Sequence, residues 1–169
     1  MTGLTLMRHR DNIMANSKLP NKVIVKKPSD ILSILKRWKN RRQENFLAIT
    51  LDGKHSVIKT HHITKGIVNR TMFHPRECFW PAIKDNATAI AFAHNHPSGN
   101  AEPSPEDNET TKRLCMAGSI LGINVLDHVI ITNNDNYYSY RQSGGIKDNF
   151  THNELDDFSY RIAAERASS

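Results

Sequence analysis

The stretch from His94 to Asp107, HNHPSGNAEPSPED, combines two imidazoles and a carboxylate at a spacing that suits a metal ion. It reads H-x-H-P, six residues, Ser104, two residues, then Asp107. Zinc held by three protein groups keeps a fourth position for water and lowers the pKa of that water towards about 7. The spacing therefore predicts a hydrolytic zinc site, with one ion per chain.

Two predicted elements would position these side chains. The apolar run TAIAFAH predicts a strand buried on both faces, and residues i and i+2 of a strand point to the same side, so His94 and His96 can converge. Ser104 followed by Pro105 suits the start of a helix, which Gly122 would end. Asp107 on the first turn of that helix would then close the third corner of the site.

Each of these residues also has a simpler explanation. The sequence SPED starts a helix well without any metal, and an H-x-H pair occurs by chance. The nucleases named HNH take those letters from dispersed positions on a ββα unit, which this sequence does not supply. A zinc deaminase needs Glu just after its ligand histidine and a later P-C-x-x-C, and this sequence has neither. The complete pattern, placed between a buried strand and a capped helix, favours metal binding.

The other patterns alternate between strands and helices. Ser29 or Asp30 is expected to cap a helix that carries the stripe Ile31, Leu35 and Trp38 and stops near Gln43. NFLAITLD and HSVIKTHHI predict two strands joined by the DGK turn, HPRECFWPAIKDNA predicts a short helix, and INVLDHVIIT and YYSY predict two more strands. This order indicates an α/β sandwich around a mixed sheet.

Length and composition predict one soluble domain of 169 residues. No apolar run approaches the roughly 20 residues that span a bilayer, and the N-terminus lacks the apolar run of a secretory signal. Cys78 and Cys115 match no metal or redox spacing and are expected to be reduced core residues. We therefore expect a cytoplasmic protein that has no membrane partner.

The net charge of +6 is concentrated near the N-terminus. Residues 1–45 hold 11 basic and 3 acidic residues, against 12 and 14 in the rest. The densest part contains Lys36, Arg37, Lys39, Arg41 and Arg42. Such a run can follow the phosphates of a nucleic acid, or it can be a solvated helix face whose aliphatic stems cover the core. For one isolated run, we favour the solvated face.

Five stretches of the chain resemble the bacterial RadC family, which carries the JAMM motif of the JAB1/MPN metalloproteases: a distant Glu, then H-x-H, seven residues, S, two residues, D. The stretches are RRQENFLAITLDGKHSVI, FHPRECFWPAI, AHNHPSGNAEPSPED, TKRLCMAGSILGINVLDHVII and YYSYRQSGG. The resemblance runs from about Ser29 to Gly145. It divides the chain into an irregular arm (1–27), a RadC-like JAB/MPN domain (28–145) and a helical tail (146–169).

The resemblance implies a cytidine-deaminase-like α/β/α fold with a mixed sheet, and zinc bound through His94, His96 and Asp107. It also implies that Glu44 is the general acid/base and that Ser104 hydrogen-bonds an oxyanion in addition to capping its helix. Three more residues fall in RadC-like positions and are expected to support the ligands from behind or to be structural: His74, Asp127 and His128.

The function that follows is a zinc hydrolase with metallopeptidase-like chemistry, acting on a peptide, isopeptide or other amide. The alternative is a DNA-associated module of repair or recombination. Longer RadC relatives carry an N-terminal helical region that 27 irregular residues cannot hold, so DNA binding would fall to the basic helix or to a partner. A third possibility is a metal-containing scaffold without turnover. Specificity in JAMM-type sites lies in loops, so the substrate and the oligomeric state stay open.

Overall fold

Helices and strands alternate along the chain in the computed structural model, which describes residues 23–66 and 74–167. The helices are α1 (Pro28–Leu35), α2 (Pro75–Lys84), α3 (Pro105–Leu121) and α4 (His152–Ala167). The strands are β1 (Asn45–Leu51), β2 (Val57–Lys65), β3 (Ala89–His96), β4 (Asn124–Thr132) and β5 (Tyr137–Ser139). Most of the predicted arm, residues 1–22, lies outside the described residues.

The five strands form one mixed sheet in the order β2-β1-β3-β4-β5. The β3–β4 pair is parallel and the other neighbours are antiparallel. One face packs against α1 through Ile31 and Leu35, and the other packs against α2 and α3 through Phe79 and Leu114. The predicted α/β/α sandwich is confirmed, and the predicted central strand is β3, buried on both faces along almost its whole length.

The first helix differs from the prediction at both ends. It begins at Pro28, and Asp30 lies inside its first turn, where the carboxylate accepts hydrogen bonds from the backbone N–H groups of Lys26 and Lys27. It ends at Leu35 rather than near Gln43. The chain then continues in turns, with Trp38 N–H donating to the carbonyl of Leu35.

The predicted basic helix is therefore wrong. Lys36 is the C-cap of α1, and the other four basic residues lie in the non-helical segment that follows it: Arg37, Lys39, Arg41 and Arg42. Further along, the side chain of Asn95 in β3 donates to the carbonyls of Arg41 and Gln43. This contact holds the segment where it enters β1.

The third helix matches its prediction residue by residue. Ser104 is the N-cap, Pro105 is the first helical residue, and Gly122 ends the helix with φ 68°, a conformation that costs glycine little. Cys78 and Cys115 are free and buried in the core, as expected. Ile146, just after the predicted domain boundary, also contributes to the core. Within the described ranges, no helix combines the length and the apolar character needed to cross a membrane.

Candidate metal centre

Three side chains, His94, His96 and Asp107, meet at the end of β3; we refer to them as the metal cluster. The two histidines end β3, and Asp107 is the third residue of α3. One donor atom from each of the three lies within 4.8 Å of the others. His94 and Asp107 are buried, and His96 is half-buried. The strand and the capped helix thus bring together the three residues that the spacing predicts.

The distances within the metal cluster place acceptor atoms against one another. Nε2 of His94 lies 2.9 Å from Nε2 of His96 and 3.2 Å from Oδ1 of Asp107, and Nε2 of His96 lies 3.4 Å from Oδ2 of Asp107. Nδ1 of His96 lies 2.8 Å from the carbonyl oxygen of Asn100, which can only accept. In a neutral ring the proton of His96 is therefore on Nδ1, and its Nε2 lone pair faces the carboxylate.

Two acceptors facing each other require positive charge between them. The hydrogen bond to Asp107 raises the pKa of His96 despite burial of the ring, since a proton on Nε2 can supply that charge. A divalent metal ion can supply it as well. Two imidazole nitrogens and one carboxylate are the ligand types found in catalytic zinc sites, so the donor set fits zinc.

Asp107 is oriented by the cap of its own helix. Its Oδ2 accepts hydrogen bonds from the backbone N–H of Ser104, at 2.8 Å, and from the Ser104 hydroxyl, at 2.7 Å. Burial tends to raise the pKa of Asp107, but the contacts with His94 and His96 hold it well below its usual range. The carboxylate is therefore anionic and has its Oδ1 turned towards His94. The Ser104 hydroxyl oxygen also accepts from the backbone N–H of Asp107 at 3.1 Å, so Ser104 both caps the helix and supports the carboxylate.

Glu44 stands where β1 begins, on the same face of the sheet as the metal cluster. Phe46 pairs with His94 in the β1–β3 register, so continuing this register by two residues sets Glu44 opposite His96. The charge of Glu44 contributes to the raised pKa of His96, as expected for neighbouring side chains. Within the described part of the chain, its half-buried carboxylate has no hydrogen-bond or ion-pair partner. Glu44 thus lies close to the metal cluster.

Asn95, between the two histidines, is a positioning residue that the sequence analysis missed. It is fully buried and points to the opposite face of the sheet. Its Oδ1 accepts from the backbone N–H of Asn45 at 2.9 Å, and its Nδ2 donates to the carbonyls of Arg41 and Gln43. These bonds hold the chain on both sides of Glu44. A polar residue in the interior of an apolar strand was the clue available in the sequence.

His128 of β4 lies directly behind His94. Its Nε2 is 2.8 Å from Nδ1 of His94, and its Nδ1 is 2.7 Å from the hydroxyl of Thr111 in α3. The ring of Tyr140 stacks on it at 5.2 Å, and Phe46 contacts it edge-on at 5.3 Å. Burial lowers the pKa of His128 well below its ordinary value, so this ring is neutral at physiological pH.

The other two residues at RadC-like positions are placed differently. Asp127 points to the opposite face of β4 from His128 and accepts hydrogen bonds from the hydroxyl of Ser139 and the backbone N–H of Arg141. Burial raises the pKa of Asp127. His74 is the N-cap of α2, where its Nδ1 accepts from the backbone N–H of Arg76. These contacts connect Asp127 to the end of β5 and place His74 at the start of α2.

The basic segment, residues 36–42, borders a groove of about 610 Å³ on the side of β1 away from Glu44. The groove is lined by Trp38, Arg41, Arg42, Asn45, His62 and Lys65, among others. The guanidinium carbons of Arg37 and Arg41 lie 5.5 and 5.6 Å from the ring centroid of Trp38. Lys39 forms an ion pair with Asp135 at 2.5 Å, whereas four charges of the segment are exposed: Lys36, Arg37, Arg41 and Arg42.

Comparison with known families gives one match, covering residues 25–145, to the family described as RadC-like JAB domain. This range contains the metal cluster, Glu44, Ser104, Asn95 and His128.

Individual relatives carry the name UPF0758 protein, which states no activity. One from Trichlorobacter lovleyi is 47% identical over 106 residues, covering 63% of this chain and 46% of the relative. One from Rubrobacter xylanophilus is 41% identical over 126 residues, covering 74% of this chain and 55% of the relative. One from a Picosynechococcus species is 42% identical over 137 residues, covering 79% and 55%. The chain thus spans about half the length of the curated relatives it matches.

Proposed function

Because the chain belongs to the RadC-like JAB domain family, we propose that it is a zinc-dependent hydrolase that cleaves a peptide, isopeptide or related amide bond. The observation that carries this proposal is the metal cluster, in which two imidazoles and an anionic carboxylate converge with acceptor atoms facing each other. His94, His96 and Asp107 would hold the ion. When bound, zinc supplies Lewis acidity, polarising the scissile carbonyl and acidifying water.

The proton transfers fall to Glu44. A carboxylate beside His96 can take a proton from the attacking water and return it to the leaving amine, which otherwise departs as an unstable anion. Asn95 holds the backbone on both sides of Glu44 and so keeps this carboxylate beside the histidine strand. Ser104 orients Asp107 and, by rotating its hydroxyl, could offer its proton to the developing oxyanion.

The test compares zinc-loaded wild type with Glu44→Gln on pools of fluorescence-quenched peptides and of peptides branched through a lysine amine. The substitution keeps size and polarity but removes the base, so hydrolysis is expected to fall by about 100-fold or more. Zinc content is expected to stay unchanged. Glu77→Gln, which changes an exposed glutamate of α2, is the matched control and retains full activity.

Three results would contradict the proposal in different ways. Loss of zinc from Glu44→Gln would make Glu44 a ligand rather than the base. Equal hydrolysis by wild type and Glu44→Gln would assign the proton transfer elsewhere. A zinc-loaded wild type that cleaves no member of either pool would favour a metal-containing scaffold.

A second candidate function, nucleic-acid binding, is supported by the basic segment. Lys36, Arg37, Arg41 and Arg42 are exposed, and two of them flank Trp38 beside a groove that also holds His62 and Lys65. Exposed cations can neutralise phosphates, with affinity that falls steeply as salt rises. This binding is independent of Glu44 and is expected to survive Glu44→Gln.

A further inference from the structure

Behind His94, a chain of three buried polar groups runs back to the first turn of α3. The Thr111 hydroxyl lies 2.7 Å from the carbonyl oxygen of Asp107 and 2.7 Å from Nδ1 of His128. Nε2 of His128 lies 2.8 Å from Nδ1 of His94. Thr111, His128 and His94 are each 1% exposed. The connection therefore joins two of the proposed zinc ligands from the side that faces the core.

The chemistry of each group fixes the direction of these hydrogen bonds. A carbonyl oxygen has no proton, so the Thr111 hydroxyl must donate its single proton to Asp107, one helical turn back. The Thr111 oxygen then accepts from Nδ1–H of His128. A neutral imidazole carries one N–H, so Nε2 of His128 is an acceptor. It accepts a hydrogen bond from the Nδ1–H of His94.

We propose that Thr111 is a positioning residue which, acting through His128, holds His94 in the tautomer whose Nε2 lone pair can bind zinc. This inference rests on the proposed zinc site. Without the hydroxyl, His128 loses the acceptor for its Nδ1–H and can carry its proton on Nε2 instead. It would then donate to Nδ1 of His94 and move the proton of His94 to Nε2, where an ion would have to bind.

The test is the affinity for Zn²⁺, measured by competition with a chromogenic chelator at fixed pH. Thr111→Val removes the hydroxyl and keeps the shape, and it is expected to weaken zinc binding by about 10- to 100-fold, as other losses of ligand support do. Thr111→Ser restores the hydroxyl and should bind within about threefold of wild type. Thr50→Val is the matched control, because Thr50 is fully buried and hydrogen-bonded to Asp85, away from the metal cluster.

A double substitution distinguishes the hydrogen-bonded connection from Thr111 through His128 to His94, which we call the relay, from a general loss of packing. His128→Phe keeps an aromatic ring between Phe46 and Tyr140 but removes both nitrogens. If Thr111 acts through His128, adding Thr111→Val to His128→Phe should leave the zinc affinity of the single His128→Phe variant unchanged. A further loss of about tenfold or more in the double variant would overturn the relay, since independent effects multiply.

Two further outcomes keep the relay distinct from the zinc site itself. Tight zinc binding by wild type with equal affinity in Thr111→Val overturns the relay alone. A wild type that takes up no zinc overturns the proposed function, and the relay with it. If Thr111→Val does not fold, nitrogen NMR of the wild-type histidines decides the matter. Protons on Nδ1 of both His94 and His128 are expected, and a proton on Nε2 of His128 would contradict the relay.

Discussion

The metal cluster and the basic segment lie on opposite faces of the sheet, near the point where β3 ends and β1 begins. They differ in how far their polar side chains are buried. In the cluster, His94 and Asp107 are buried and are held by side chains or caps. In the basic segment, Arg37 and Arg41 are exposed and lie over an indole. Buried polar groups are costly unless they are paired, whereas exposed charges cost little wherever they stand. The cluster is therefore much the stronger indicator of function.

Removing a ligand should produce the largest effect in this comparison. Zinc at about 100 times its dissociation constant stabilises wild type by about 2.7 kcal/mol, which raises Tm by roughly 5–10 °C. Asp107→Ala is expected to abolish this shift in a thermal melt. Asp135→Ala removes the carboxylate that pairs with Lys39 and should keep the full shift. A zinc-dependent shift retained in Asp107→Ala would move the site away from the cluster.

Asn95 joins the two regions, and its loss should produce the next largest effect. Asn95→Leu leaves the carbonyls of Arg41 and Gln43 and the N–H of Asn45 without this partner, so unfolding in urea should show a loss of about 2 kcal/mol. Asn124→Leu changes an exposed asparagine of β4 and should stay within about 0.5 kcal/mol of wild type. Equal stabilities of the two variants would refute the anchoring role.

The pH dependence of stability should change sign when zinc is added. When a chelator removes all metal, the raised pKa of His96 stabilises the fold, and this contribution is fully present below pH 6.5. It is lost as the pH rises through the pKa of His96 in the folded state. With zinc, the ion replaces that proton, so stability should increase over the same range. The lowered pKa of His62, beside the basic segment, changes the stability of the fold only below pH 6.5, so it does not affect the range above it.

Urea melts at a series of pH values above 6.5, with zinc or with chelator, check both slopes. His96→Gln should flatten the slope in chelator. Slopes of the same sign with and without zinc would show that the ion does not compete with the His96 proton.

Reversing the exposed charges should have the smallest effect on the fold. Changing Lys36, Arg37, Arg41 and Arg42 to Glu is expected to alter stability by no more than about 0.5 kcal/mol per substitution. Binding to a single-stranded DNA oligonucleotide should weaken, with the salt slope reduced by about 0.7 per lost contact.

Changing four exposed lysines elsewhere to Glu is the matched control for net charge: Lys26, Lys27, Lys54 and Lys84. Equal losses of DNA affinity in the two variants would show that the basic segment is an ordinary solvated surface with no specific role in DNA binding.

Local chemistry explains why the metal cluster could be predicted from the sequence. Ser104, Pro105 and Gly122 set both ends of α3, and the alternation of β3 places His94 and His96 on one side. The end of α1 could not be predicted in this way, because the apolar stripe continues to Trp38. The entry into β1 depends on Asn95, far along the chain, which binds the carbonyls of Arg41 and Gln43.

The support behind His94 was also out of reach of local patterns. Thr111 looks like an ordinary helical residue, and His128 lies in a strand 34 residues after His94. The parallel pairing of β3 with β4 and the packing of α3 bring them together. Patterns along the chain therefore predicted the three residues of the metal cluster, and the resemblance pointed to His128, whereas the contact of Thr111 with His128 emerged only from the tertiary structure.

The most direct test of the zinc site is the metal content of the purified protein, measured by elemental mass spectrometry for three proteins: wild type, His94→Ala and His62→Ala. We predict about one zinc per chain in wild type and in His62→Ala, and close to none in His94→Ala. His62 is a matched control because it lies in the groove beside the basic segment. Equal zinc in all three proteins, or none in folded wild type after reconstitution, would contradict the zinc site.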